Sequence, residues 1–85
     1  MTNSGKDLNY YMNLLYRIEF TPIPENEGGG YMASLPEIGR NAIIGDGDTI
    51  EEAYKDLETN KKETFQQYIE EGIEIPEPES DEGYS

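Results

Sequence analysis

Apolar residues recur at helical spacing through one long stretch of the chain. Ile50, Ala53, Tyr54, Leu57, Phe65, Tyr68 and Ile69 fall on one stripe, with Lys61 and Thr64 filling its middle. Glu51, Asp56, Glu58, Lys62, Glu63 and Glu70 lie mostly outside it. The pattern predicts a helix over residues 50–71, roughly 33 Å long at 1.5 Å per residue. Its start is written in GDGDTIEE, residues 45–52. Asp48 or Thr49 can accept from the unpaired amides of the first turn, and Thr49 with Glu52 has the capping-box spacing. Gly45 and Gly47 suit a sharp turn just before the cap. Gly72 stands where a C-cap glycine belongs.

Upstream the period changes to two. Tyr16, Ile18 and Phe20 alternate with Arg17 and Glu19, which predicts a half-buried strand over residues 16–20. Pro22 and Pro24 limit its extension, because neither can donate to a ladder. The polar, glycine-bearing run ENEGG, residues 25–29, reads as a hairpin turn into a second strand over residues 30–35. There Tyr31, Ala33 and Leu35 share one face, and Pro36 ends the strand. Ala42, Ile43 and Ile44 form a minimal third strand. Before the first strand, Asp7 can cap a short helix over residues 7–15, with Leu8, Tyr11, Met12 and Leu15 on one face. After the long helix, Ile73 and Ile75 alternate with Glu74 as a last short strand that Pro76 ends. The expectation is an α+β domain ordered β-β-β-α-β, a small antiparallel sheet with one long helix packed on one face and a short N-terminal helix. The domain covers residues 7–76, between a frayed polar segment, 1–6, and a disordered acidic tail, 77–85.

Eighty-five residues allow one domain with little stability to spare. Nineteen acidic residues against six basic ones give a net charge of −13. Such a chain repels nucleic acid and attracts a basic partner. The bland alternative is a solvated acidic tail, since the stretch from Glu70 to Glu82 holds many acids and no base. The chain lacks cysteine, so no disulfide framework or thiolate metal site is available. No apolar run reaches membrane-spanning length and the first residues do not read as a signal peptide, so a cytoplasmic protein is expected.

Candidate chemistry is sparse. The chain has no histidine for general-base work and no cysteine nucleophile, and no enzyme activity is expected. Asp46 and Asp48 could face a cation, but Ile50 falls where a calcium loop needs an oxygen ligand, and no metal or cofactor is expected. Gly28, Gly29 and Gly30 are followed by no GK[ST] and lie beside Glu25 and Glu27, which would repel phosphate. Of the seven tyrosines, Tyr16, Tyr31, Tyr54 and Tyr68 fall at inward positions and read chiefly as core, with one or two suited to an interface.

Several of these segments, taken in order, resemble the HicB family of antitoxins in its short form. They are the lead-in NYYMNLLY, the strand YRIEF, the run GGYMASLPEI, the turn GDTIEEA with Gly47, Asp48 and Thr49, the long helix, and a closing glycine followed by IPEP. Together they span about residues 8–78. Two features depart from the family. Gly39-Arg40-Asn41-Ala42 replaces a Pro-Gly-Cys-type turn, and an acidic tail follows where many members carry a DNA-binding segment, so DNA binding is not carried over. The resemblance implies a partial ribonuclease-H-like fold and a homodimer or higher oligomer. It implies an antitoxin that masks a small, basic, HicA-like toxin, itself an mRNA-cleaving ribonuclease. The expected contact is the outer surface near Tyr31, Glu37, Asp46 and Asp48; the alternative for each is a hairpin, turn or cap role. Two other functions compete: an orphan acidic module mimicking nucleic acid, and a metal-dependent nuclease relic using Glu19, Asp46 and Asp48.

Overall fold

The computed structural model describes residues 6–39 and 41–78. The expected positions 1–5 of the frayed N-terminus and 79–85 of the acidic tail lie outside the described residues. The element order is α1 (Leu8–Met12), β1 (Glu19–Pro22), a 3₁₀ turn (Glu25–Glu27), β2 (Tyr31–Ser34), β3 (Ile44–Gly47) and α2 (Ile50–Glu71). The three strands form an antiparallel meander in the order β1-β2-β3, with Phe20 opposite Ala33 and Ala33 opposite Gly45.

Helix α2 has the bounds its apolar stripe predicts. Thr49 is its N-cap: Oγ1 accepts from the Glu52 N–H at 3.1 Å, while the Glu52 carboxylate accepts from the Asp48 N–H at 3.0 Å. This is a capping box displaced by one residue on its return bond. Gly72 closes the helix with a left-handed φ of 73°, and the Gly72 and Ile73 amides bond back to Ile69 and Tyr68. Thr49→Ala is expected to cost about 1 kcal/mol in chemical denaturation. An unmoved midpoint would show that the cap contributes nothing.

The strands are shifted from the apolar pattern. Residues 16–18 lie outside the ladder, and β1 runs from Glu19 to Pro22. The Ile23 N–H to Gly30 carbonyl bond, 2.9 Å, fixes the alternation. In an antiparallel pair the inward-bonding residues alternate, so Glu19 and Thr21 bond to β2 while Phe20 and Pro22 turn their backbone outward. The missing amide of Pro22 therefore costs no ladder bond, which is why the proline does not end the strand.

β3 begins at Ile44, later than expected, and includes Gly45 and Gly47. A β-carbon on Gly45 would overlap the Leu57 amide nitrogen and stand 2.6 Å from Leu57 Cα; one on Gly47 would stand 2.7 Å from the Ala53 nitrogen. These glycines let α2 lie directly on β3. The segment read as a turn is a strand whose helix-facing positions carry no side chain.

Three further expectations are corrected. Helix α1 stops at Met12, with Asp7 capping it through the Tyr10 N–H, and Leu15 is 91% exposed. Phe20 and Tyr54, placed inward by periodicity, are exposed, because α2 packs chiefly on β3 and β2 and leaves β1 beyond it. Residues 73–75 pair with no strand among the described residues; Ile75 is buried as a core side chain. The sheet therefore has three strands, not four.

The core joins Tyr16, Ala33, Leu35, Ile43, Leu57, Phe65 and Ile75. Lys61 is buried among them. Its ammonium meets the Glu58 carboxylate at 3.2 Å and sits 5.8 Å above the Tyr16 ring, so it is compensated by a charge and a π-face.

Candidate functional site

The strand register sorts the four expected contact residues. Tyr31 opposes Gly47, and Met32 opposes Asp46, so Tyr31, Asp46 and Asp48 share one end of the sheet. Tyr31 is half-buried on the helix side; Asp46 and Asp48 are exposed. Glu37 lies six positions along from Tyr31, past the other end of β2. Its carboxylate accepts from the Arg17 N–H at 2.8 Å and ties the segment before β1 to the one after β2. Three of the four residues are brought together, and Glu37 stands apart in a bracing position.

The shared end is built by contact between two turns. Gly30, at φ +88°, comes so close to Gly47 and Asp48 that a β-carbon there would overlap the Gly47 carbonyl and reach 3.3 Å from Asp48 Cα. The 3₁₀ turn that carries Glu25 and Glu27 leads into Gly30, so these two acids belong to the same end of the sheet as Asp46, Asp48 and the first turn of α2 with Glu51 and Glu52. Part of this charge has a local use, since carboxylates near a helix N-terminus meet the positive end of its dipole. The ion pairs between described residues, Lys6–Glu77 and Lys61–Glu58, involve none of these six acids.

The carboxylates do not converge as a metal site would require. Glu19 and Asp46 share the helix-free sheet face but are two strands and two residues apart, roughly 12 Å between Cα atoms at ~4.8 Å per strand and ~3.4 Å per residue. Among the described residues no group of three or more acidic side chains could hold one ion.

At the opposite end, Glu77 clasps the N-terminal segment. It meets the Lys6 ammonium at 3.3 Å and accepts from the Tyr10 hydroxyl at 3.2 Å. The Tyr16 hydroxyl donates to the Pro76 carbonyl at 2.6 Å. The expected tail thus begins as a docked segment at Glu77. Burial first, then the Glu77 charge, pushes the Tyr16 ionisation well above the ordinary tyrosine range. Because the folded value is raised, this contribution to stability is whole below the unfolded tyrosine value of about 10 and is lost as pH rises past it. Stability should fall above about pH 10, and Tyr16→Phe should flatten that fall while costing about 1 kcal/mol at neutral pH. An unchanged alkaline limb in urea titrations of the variant would contradict this.

No helix among the described residues is long and apolar enough to cross a membrane. No protein-family model, curated protein or solved structure matches the chain.

Proposed function

We propose that this protein is an antitoxin-like binding module of HicB type that masks a small basic, mRNA-cleaving ribonuclease of HicA type in the cytoplasm. The observation that carries the reading is the crowding of six carboxylates, from Glu25 to Glu52, at one end of the sheet. Carboxylates in no ion pair with another described residue favour a cationic surface and accelerate encounter with it. The resemblance in the sequence supplies the identity of the partner. The meander followed by one long helix is the element order that the resemblance implies, although it lacks the final strand. Glu19 lies two strands away from Asp46, which weighs against a metal-dependent nuclease that would use both.

The test is co-purification. The chain should form a stable complex with a short basic ribonuclease encoded beside it, and the complex should survive size-exclusion chromatography at moderate salt. Two separate peaks at every salt concentration would contradict the reading.

A further inference from the structure

The two edges of the sheet are unlike. Along β3, two of the outward backbone groups are already taken: the Asp46 N–H donates to Asp56 Oδ2 at 3.0 Å, and the Ile44 carbonyl accepts from Asn60 Nδ2 at 2.6 Å. Side chains of α2 close that edge to further strands. Along β1 the same alternation turns the Phe20 N–H and carbonyl outward, and α2 does not reach over them. Pro22 shortens this edge without closing it, because it removes one donor and leaves Phe20 in place.

The surface beside that edge is apolar. Phe20 is 37% exposed, Tyr54 44% and Leu15 91%. Leu15 and Tyr54 line a cleft of about 240 Å³ between the segment following α1 and helix α2, together with Ile18, Glu58 and Lys61; Ile18 stands two positions before Phe20. A void of ~150 Å³ takes a benzene ring, so the cleft has room for one large apolar side chain. On the other side of β1, Glu19 and Thr21 face solvent. An added strand would alternate, with one set of side chains toward Ile18, Phe20 and Tyr54 and the other toward Glu19.

We propose that the outer edge of β1 takes an extended segment of a partner protein that alternates apolar with lysine or arginine side chains, adding it as a fourth strand and seating an apolar side chain in the cleft. This rests on the reading of the partner as a basic protein and names the surface that receives it. Charge decides the occupant. A second copy of this chain would bring another −13 to the edge, whereas a cationic strand is complementary to Glu19 and to the chain as a whole.

The full chain is titrated with a short end-blocked peptide of alternating valine and lysine, followed by amide NMR shifts and hydrogen exchange. The Phe20 amide should shift and exchange about tenfold more slowly on saturation. Phe20→Pro, which removes an amide that does not serve the β1–β2 ladder, should weaken binding about tenfold or more. A peptide methylated on alternate backbone nitrogens tests the same bonds without altering the protein, and should bind correspondingly less. Equal binding by Phe20→Pro or by the methylated peptide overturns the edge proposal while leaving a basic partner for the acidic end. Equal binding of a valine–glutamate peptide overturns the cationic occupant, and so does no binding of either peptide. Self-association in sedimentation that Phe20→Pro abolishes would assign the edge to a second copy instead.

Discussion

Gly45→Val is expected to remove about 3 kcal/mol or more of this protein's stability, a large share of the total. The backbone of α2 occupies the space a side chain would need: Leu57 Cα would stand 2.6 Å from the new β-carbon and the Ala53 carbonyl oxygen 2.8 Å. Neither is the flexible end of a side chain, so the helix must lift from β3 to admit the substitution. That separation would unpack Ala53 and Leu57, both fully buried, from Ala33 and Leu35. Overpacking of this kind costs typically ~1–3 kcal/mol and more where backbone must move, so about 3 kcal/mol or more is expected here. A domain of this length has a total stability of only roughly 5–10 kcal/mol. Asp46→Ala, one residue away on the exposed face, removes no core contact and is expected to stay within about 0.5 kcal/mol. Denaturation midpoints of the two variants give the comparison. A Gly45→Val protein as stable as Asp46→Ala would mean that α2 does not rest on β3.

The second large effect concerns association with a basic partner. Reversing Asp46 and Asp48 to lysine should slow complex formation about tenfold at low salt and flatten its salt dependence. Dissociation should change less, because apolar contacts govern how long a complex lasts. Asp48 precedes the cap of α2, so lysine there opposes the helix dipole and should lower stability by a few tenths of a kcal/mol. Glu37→Lys should behave differently. It removes the acceptor of the Arg17 N–H and so should lower the melting temperature while leaving the association rate nearly unchanged. Stopped-flow mixing across a salt series separates the two behaviours. An association rate unaffected by the Asp46 and Asp48 reversal would remove the acidic end from the interface.

What the sequence made legible follows from where side chains do the structural work. The extent of α2, its Thr49 cap and its Gly72 stop could all be read, because each is local chemistry with a residue preference. The alternation of Tyr31, Ala33 and Leu35 was also readable, because β2 is central and its helix face is filled by side chains. The flanking strands escape the apolar pattern for opposite reasons. β3 makes its helix contact through Gly45 and Gly47, so its buried face leaves no hydrophobic signal and its glycines look like a turn. In β1 the signal was present but offset: Tyr16 is buried by Phe65 and Pro76, outside the ladder, while the paired segment includes a proline whose nitrogen faces outward. Ile75 misled in the same way, being buried without pairing.

Of the candidate contact residues, the spacing could not separate Glu37 from the others, because its role depends on a backbone amide twenty positions away. The pairing of Lys61 with Glu58 was open to reading at i, i+3, but its burial under Tyr16 was not. Nor could periodicity show that one sheet edge is closed by Asp56 and Asn60 and the other left open.

The most direct measurement is RNA cleavage by the proposed partner, a short basic ribonuclease of HicA type, followed as the chain is titrated in. Cleavage should fall linearly and cease near one equivalent, with the Asp46 and Asp48 double reversal slower to inhibit at low salt. Undiminished cleavage at a large excess of folded chain would contradict the masking function.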